Sequence, residues 1–208
     1  MIAIIDYGVG NLGSISNMMK HSGIEAIITK DPYQIANASK LVLPGVGSFD
    51  HGMNLLNASG LRGIIDKKVG TDQIPVLGIC LGMQMMTKGS EEGNVPGLNW
   101  IDAECIKFKF DRNDKSLRIP HMGWNDVYVQ KDENLLFPMI DNELQFYFAH
   151  SYHLVCNHNI TIATTTYGYE FAVAFKKDNL FGAQFHPEKS HQFGMNFLKA
   201  FSNYQNII

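Results

Sequence analysis

The first part of the chain alternates short apolar runs with segments whose apolar residues recur at helical intervals. Residues 1–6 form an apolar, β-branched run that the glycines of residues 7–11 interrupt, and residues 12–21 then carry helical spacing. The same pattern predicts further strands at residues 25–29, 40–44 and 75–79, and helices at residues 32–37, 53–68 and 81–88. Strands separated by helices at these intervals predict a parallel sheet covered by helices on both faces.

The second half of the chain has a different pattern. Short runs separated by polar turns predict antiparallel strands beside the parallel sheet, at residues 104–108, 125–129, 145–152, 161–165 and 171–175. A final strand at residues 180–185 leads into a helix at residues 191–204. Because we find no internal repeat, low-complexity tract or linker, we expect a single α/β domain over residues 1–208. It should contain a mostly parallel open sheet, with helices on both faces and an antiparallel extension.

Composition excludes several classes of protein. The 17 Lys and Arg against 20 Asp and Glu give a net charge of −3, and they form no basic stripe of the kind that nucleic-acid binding requires. No apolar run approaches the roughly 20 residues of a membrane span. No basic region precedes an apolar stretch at the start of the sequence. We therefore expect a soluble, cytoplasmic protein with no nucleic-acid partner.

The cysteines and histidines do not suggest a metal site. The three cysteines, Cys80, Cys105 and Cys156, are widely spaced, which argues against a disulfide framework and against a zinc site built on cysteine pairs. His150 and His153 are close in sequence, but a strand places residues three apart on opposite faces. We expect no metal or other cofactor, and buried, unreactive thiols at Cys105 and Cys156.

Cys80 has the sequence context of a nucleophile. It lies between Gly78 and Gly82, where a buried strand should give way to a helix, as in the glycine-flanked elbow of many hydrolases. The glycines allow a sharp turn in which backbone segments approach closely. A thiol at a helix N-terminus is also favoured as the thiolate. The alternative is that Cys80 is a small buried residue of the core.

A base and an orienting carboxylate follow the last predicted strand. His186 and Glu188 are two residues apart, and Pro187 between them keeps the segment extended, so both side chains should project to the same side. Imidazole accepts a thiol proton and a carboxylate fixes its tautomer, so the two residues complete a triad with Cys80. A strand-end histidine beside a carboxylate is otherwise commonly a surface pair.

A glycine-rich turn follows the strand at residues 40–44. Gly45 and Gly47 flank Val46 in this turn, which can present free backbone N–H groups to the oxyanion of an acyl-transfer intermediate. The carboxyl edge of an open sheet is where ligands bind. Phosphate binding is a competing use, but the chain has no G-x-x-x-x-G-K-[ST] pattern. An ordinary tight turn is the structural alternative.

Three separated motifs together resemble a known family. LPGVG (43–47), GICLGMQ (78–84) and QFHPEKS (184–190), in this order and spacing, resemble the class I glutamine amidotransferases, which have a Cys-His-Glu triad and a flavodoxin-like fold. Further segments look like the HisH glutaminase subunits of imidazole glycerol phosphate synthase: IDYGVGNL (5–12), SEEG (90–93), PHMGWN (120–125), YFAHSYH (147–153) and YG (167–168). The resemblance runs almost from end to end.

The resemblance implies a role for each matching residue. Cys80 would attack the γ-amide carbon of L-glutamine, His186 would act as the base that later protonates ammonia, and Glu188 would orient it. The oxyanion donors would be the backbone N–H groups of Val46 and Leu81. Residues that would hold the substrate are Gly45, Gly47, Gln84, His150, Ser151 and Tyr152, with the two glycines also acting as hinges of the turn.

The resemblance also implies a partner. The predicted catalytic domain uses essentially all of the chain, so the ammonia acceptor should be a separate subunit, in this family the (β/α)8 barrel HisF. Asn11, Trp124, Tyr147 and Lys189 match positions at that interface. On sequence alone, Trp124 is equally compatible with a core position, and Lys189 with a solvated side chain.

Other functions stay open at this point. Gly13 and the segment at residues 190–195 are similar to HisH-like proteins that supply ammonia for acetamidino-sugar synthesis in surface polysaccharide formation, which leaves the acceptor undecided. A cysteine peptidase or γ-glutamyl hydrolase would use the same elbow on a bulkier substrate. A third hypothesis is an inactive subunit retained as a scaffold.

Overall fold

A computed structural model of the chain describes residues 1–111, 117–130, 136–138 and 144–205. The strands are β1 (Ile2–Ile5), β2 (Ala26–Thr29), β3 (Lys40–Gly45), β4 (Val76–Cys80), β5 (Ala103–Lys107), β6 (His121–Val129), β7 (Leu144–His150), β8 (Tyr152–Cys156), β9 (Thr161–Tyr167), β10 (Tyr169–Lys177) and β11 (Leu180–Ala183). The helices are α1 (Leu12–His21), α2 (Pro32–Ala36), α3 (Phe49–Ala58), α4 (Arg62–Gly70), α5 (Leu81–Met85) and α6 (His191–Asn203), with 3₁₀ turns at His158–Ile160 and Pro187–Lys189.

The described strands join in one extended sheet. Its parallel part has the order β2-β1-β3-β4-β11, and the antiparallel strands β10-β9-β6-β7 continue it on one side. Strand β8 pairs with β10 and with β5, off the main path. The predicted fold, a parallel open sheet with an antiparallel extension, is confirmed.

Helices cover both faces of the parallel part. Ile2 and Ile4 of β1 pack in one buried cluster with apolar residues of α1 and α6, whereas Ala3 and Ile5 pack in a second cluster with α2, α3 and α4. Alternate residues of a strand point to opposite faces, so a continuous apolar run serves two cores. Burying each isoleucine or phenylalanine stabilises the fold by roughly 1.5–3 kcal/mol.

The predicted helix at residues 53–68 is two helices. Helix α3 begins earlier, at Phe49, and ends at Ala58, where the Ser59 N–H still donates to Leu55 O at 2.9 Å. Gly60 follows with φ +74°, a left-handed conformation that glycine adopts at low cost. The chain therefore turns at Ser59 and Gly60 before α4 begins.

The predicted strand at residues 145–152 is interrupted at Ser151. Strand β7 ends at His150 and pairs with β6, and β8 begins at Tyr152 and pairs with β5. The Ser151 carbonyl accepts a hydrogen bond from Phe108 N at 3.2 Å. The break lets one apolar run contribute to two pairs of strands.

The register of the parallel strands brings three segments to one edge of the sheet. Gly45 of β3 pairs with Cys80 of β4, and Ala183 of β11 pairs with Ile79. The glycine-rich turn, the cysteine and the segment after β11 therefore meet at the carboxyl ends of the strands, where open α/β sheets bind ligands. Within the described residues, no helix is long and apolar enough to cross a membrane.

Candidate active site

The turn from β4 into α5 holds Cys80 in a strained conformation. Its φ is +52° and ψ −111°, outside the regions that ordinary L-residues favour. A Cβ at Gly78 would lie 2.7 Å from the backbone of Met83, and one at Gly82 would lie 1.8 Å from Leu43 O. Glycine is required at both positions because backbone segments approach closely, and the turn raises Cys80 above the sheet edge.

His186 connects Cys80 with Glu188. The ring Nδ1 lies 2.8 Å from Glu188 Oε1, and the ring lines the same cleft as Cys80. Because a carboxylate only accepts, Nδ1 carries the proton and Nε2 is left for the sulfur. The backbone of His186 is held by its N–H, which donates to Tyr147 O at 2.8 Å, and by its carbonyl, which accepts from Ser190 Oγ at 2.7 Å.

The charge on His186 follows from its two neighbours. Burial alone would lower the pKa of the imidazole, but hydrogen bonds to Cys80 and Glu188, together with their charges, raise its pKa to about 10. The His186 and Glu188 side chains are only 4% and 1% exposed, so water screens these interactions weakly. The two neighbours therefore favour the protonated, imidazolium form of His186.

The glycine-rich turn packs directly against this elbow. A Cβ at Gly45 would lie 2.8 Å from Leu81 Cβ, and Gly47 has φ +97°. The buried Tyr7 hydroxyl donates to Pro44 O at 2.6 Å and anchors the turn. Burial, with a smaller contribution from the charge of Cys80, raises the pKa of Tyr7, so this hydroxyl stays a neutral donor.

A cleft of about 390 Å³, lined by both polar and apolar groups, opens above the elbow. It is lined by ten residues that the sequence analysis singled out: Val46, Gly47, Cys80, Leu81, Gln84, His150, Ser151, Tyr152, His186 and Lys189. Gly45 lies behind this lining, against Leu81, and Glu188 lies behind His186. Asn11, Trp124 and Tyr147 are outside the lining.

Gln84 and His150 are held by contacts within the protein. Gln84 Nε2 donates to Tyr152 O at 3.1 Å and to Gln184 Oε1 at 3.0 Å, so its Oε1 is the atom left for a ligand. His150 Nδ1 donates to the same Tyr152 carbonyl at 2.9 Å, and its Nε2 accepts from His121 Nδ1 at 2.9 Å. Burial lowers the pKa of His150 to about 3, which keeps its ring neutral.

Three of the residues expected at a partner interface, Trp124, Tyr147 and Lys189, lie together beside the cleft. Trp124 is 45% exposed, so it is not a core residue, and its ring stacks on His191 with centroids 5.4 Å apart. Tyr147 lies edge-on to Trp124 at 6.3 Å, and Lys189 Nζ lies 5.3 Å from the Tyr147 ring centroid. Asn11 precedes α1 without a side-chain capping bond to the helix.

The sequence analysis assigned no role to five residues that line the cleft or contact the cysteine. Glu92 lines the cleft, and its Oε2 accepts from Phe49 N at 2.8 Å at the start of α3; the SEEG segment was its sequence signal. Pro120, Met122 and Ala149 also line the cleft, without a chemical signal in the sequence. Gln184 contacts the cysteine and is considered separately below.

The prediction that His150 and His153 face opposite sides was wrong. Both rings pack on Phe108, with centroid distances of 5.2 and 4.9 Å, because the strand is broken between them at Ser151. Across the described ranges, no cluster of three or more His, Cys, Asp or Glu is arranged to hold a metal ion. Burial raises the pKa of Cys105 to about 12 and also raises that of Cys156; both thiols are free.

The fold and the site together define a class of protein. An open α/β sheet carries a cysteine on a strand-to-helix turn, beside a histidine and a glutamate that follow the neighbouring strand. A glycine-rich turn from a third parallel strand packs against them. This combination is that of the class I glutamine amidotransferases.

Comparison with known proteins supports this class and also indicates the family within it. The family model "Glutamine amidotransferase class-I" matches residues 3–203. Imidazole glycerol phosphate synthase subunit HisH 2 of Methanococcus maripaludis is 52% identical over 97% of this chain and 98% of its own. Subunit HisH of Bdellovibrio bacteriovorus is 44% identical over 97% and 99%. A crystal structure of a glutamine amidotransferase superposes with a TM-score of 0.73 at 18% identity, covering 97% of this chain and 99% of that one. The chain belongs to the HisH family of class I glutamine amidotransferases.

Proposed function

We propose that this chain is a glutaminase subunit that hydrolyses L-glutamine to glutamate and ammonia through a thioester on Cys80. The observation that carries the proposal is that Cys80 shares its cleft with an imidazole whose Nδ1 binds a buried carboxylate. Cys80 and that carboxylate both raise the pKa of this imidazole. Membership in the HisH family agrees with it. The cleft above Cys80 has a volume of about 390 Å³ and is lined by both polar and apolar groups, which suits a small polar substrate.

The triad can perform both halves of the reaction. The Cys80 thiolate attacks the γ-amide carbon, and a C–S bond forms while the amide oxygen takes the negative charge. Backbone N–H groups of Val46 and Leu81 would stabilise that oxyanion. The intermediate collapses, the C–N bond breaks, and the His186 imidazolium gives its proton to the leaving nitrogen, which departs as ammonia.

Water then cleaves the thioester. Neutral His186 takes a proton from the attacking water, the C–S bond breaks, and its electron pair returns to sulfur as the thiolate. Glutamate is released, and the imidazolium–thiolate pair is restored. Glu188 keeps the Nδ1 proton in place throughout, so that Nε2 is the atom that exchanges protons.

Two acceptors at the cleft suit the α-ammonium group of glutamine. Gln84 Oε1 is left for a ligand because both Nε2 hydrogens are used inside the protein. Glu92 adds a carboxylate to the cleft lining. An α-amino acid presents a cation to these oxygens, and the γ-amide can then extend toward Cys80.

We infer that the ammonia passes to a HisF-type (β/α)8 subunit, which forms imidazole glycerol phosphate and AICAR in histidine biosynthesis. The relatives are named as subunits of imidazole glycerol phosphate synthase, a name that implies a second subunit. The exposed patch of Met122 and Trp124 beside the cleft mouth is a suitable contact surface.

The decisive test is the Cys80→Ala variant of the complex. With the barrel subunit and its ligand bound, we expect glutamate release from glutamine to be abolished, while added ammonium salts still support product formation. Glutamate release that persists in Cys80→Ala would overturn the assignment of the nucleophile. Strong cleavage of γ-glutamyl peptides by the wild-type chain without a partner would favour a peptidase or γ-glutamyl hydrolase instead.

A second experiment decides the acceptor. The purified chain is mixed with a HisF subunit of the histidine pathway or with a HisF-like subunit from acetamidino-sugar synthesis, each with its own ligand. We expect ligand-stimulated glutamate release with the first. Stimulation by the second alone would assign the chain to polysaccharide formation and leave its glutaminase activity as proposed.

A further inference from the structure

Gln184 contacts both the nucleophile and a substrate-binding residue. It directly follows β11 and is fully buried, and its backbone N–H donates to Val173 O at 2.8 Å. Because Ala183 pairs with Ile79, Gln184 lies beside Cys80 across the two strands. Its side-chain amide reaches Gln84 at 3.0 Å and Cys80 Sγ at 3.7 Å.

The direction of this amide is fixed by a backbone carbonyl. Tyr152 O can only accept, so the Gln84 atom 3.1 Å from it is the donor Nε2. The same Nε2 contacts Gln184, so the contacted Gln184 atom is the acceptor Oε1. The Gln184 atom that faces Cys80 Sγ is therefore Nε2, and the sulfur receives an N–H.

We propose that Gln184 is a further catalytic residue, whose side-chain N–H stabilises the Cys80 thiolate while its carbonyl holds Gln84 in place beside it. The contact with sulfur rests on the geometry alone, and its use in catalysis rests on the proposed glutaminase function. A hydrogen bond to an ionised acceptor is stronger than one to a neutral acceptor, and most of all in a site with little water.

The role fits the charge changes of the reaction. Sulfur carries negative charge before attack and loses it when the C–S bond forms. When water cleaves the thioester, the electron pair of that bond returns to sulfur, and the Gln184 N–H is already in position to receive it. A neutral amide donates without taking a proton from sulfur, so it supports the thiolate without competing with His186.

Among the described residues, the titratable groups nearest Cys80 in their electrostatic effect are His186, Tyr7 and Cys105, with Glu188 behind the imidazole. The same cleft is also lined by Glu92, His150, Tyr152 and Lys189. Gln184 does not titrate. Replacing it by an apolar residue therefore removes the N–H donor and leaves every charge around the sulfur unchanged.

The test is the rate of Cys80 alkylation by iodoacetamide as a function of pH, with the modified residue identified by mass spectrometry. In Gln184→Met, which is similar in volume, we expect the midpoint of the rate profile to rise by about one pH unit. The matched control is Gln192→Met, the same change at an exposed glutamine of α6 that does not line the cleft. In the control the midpoint should stay within a few tenths of a pH unit.

A second measurement uses the unmodified side chain and does not depend on the folding of Gln184→Met. In wild type, we expect the side-chain amide resonance of Gln184 to shift with pH at the alkylation midpoint, and to lose this shift in Cys80→Ala. An unchanged midpoint in a folded Gln184→Met protein, or an amide resonance that does not follow the thiolate, would refute the role of Gln184. The proposed glutaminase function is tested separately, by turnover of glutamine in the wild-type complex. If the complex turns over glutamine, the function stands even when the role of Gln184 is refuted, and if it does not, the function is refuted.

Discussion

His186 lies between a thiol and a carboxylate that are both largely excluded from water. Glu188 Oε1 accepts a hydrogen bond from the Nδ1–H of His186, whereas its Oε2 is buried and has no hydrogen-bond partner within the described residues. Among the described residues, the His186 imidazole is therefore the hydrogen-bond donor to the side chain of Glu188. Such a pair is stronger than a surface ion pair because both groups are already desolvated in the folded state.

Removing the charge of Glu188 should impair catalysis far more than folding. In Glu188→Gln, an amide N–H would face Nδ1 and select the other tautomer, so Nε2 could no longer accept a proton. We expect kcat for glutamate release by the complex to fall by roughly 10²–10⁴-fold. Steady-state assays of glutamate release measure the effect.

The matched control is Glu104→Gln, at an exposed carboxylate of β5. It makes the same chemical change outside the cleft, and we expect it to retain wild-type kcat. Equal activity of Glu188→Gln and wild type would show that the carboxylate does not orient His186.

At the scale of elements, the junction of β7 and β8 buries neutral histidines beside the cleft. Asn125 donates to His121, His121 to His150, and His150 to the Tyr152 carbonyl. Burial lowers the pKa of His121 to about 4 and that of His150 to about 3. This chain of hydrogen bonds holds the Tyr152 peptide, which also accepts from Gln84.

The neutral state of His150 should make stability depend on pH. Between its ordinary pKa of about 6.5 and its folded pKa of about 3, the unfolded chain binds a proton that the folded ring does not. The free energy of unfolding should therefore decrease as the pH falls through this window, by about 1.4 kcal/mol per pH unit for this one proton.

Urea unfolding of His150→Gln between pH 5 and 6.5 tests this prediction, since glutamine does not titrate. We expect the slope of unfolding free energy against pH to be smaller than in wild type by the contribution of about one proton. The same slope in both proteins would mean that His150 binds its proton equally in the folded and unfolded states.

Local sequence pattern located the elements but not all of their ends. The helix at residues 12–21 is found with the predicted bounds, because a glycine-rich loop and a glycine turn flank it. The breaks at Gly60 and Ser151 were missed. The apolar periodicity continues across both breaks, so the sequence gives no sign of them. At each break, the segments before and after it pack against different elements, which lie far away in sequence.

At the scale of the molecule, the exposed patch beside the cleft is the expected site of the synthase subunit. Trp124 offers a large apolar ring already fixed by His191, so little side-chain entropy would be lost on binding. We expect Trp124→Ala to weaken binding of the barrel subunit by about 2 kcal/mol, which is roughly 30-fold in Kd. Titration calorimetry of the two purified subunits measures it.

The control for this surface is Tyr33→Ala. Tyr33 is 76% exposed on α2 and does not line the cleft, so its removal should leave Kd unchanged. Circular dichroism should show both variants folded. An unaltered Kd for Trp124→Ala would place the partner on another face of the molecule.

The sequence by itself determined the order of strands and helices in the parallel half, and it predicted a triad of Cys80, His186 and Glu188. These depend on local rules: apolar runs form strands, and glycines permit a tight elbow. The extended conformation predicted for the segment from His186 to Glu188 was wrong, because Pro187–Lys189 is a 3₁₀ turn, which still brings Glu188 to the His186 ring. The tertiary structure alone decided that Glu92 and Gln184 join the site and that the His150 ring stays neutral. Those properties arise from contacts between residues as much as 104 positions apart and from exclusion of water, which no local pattern records.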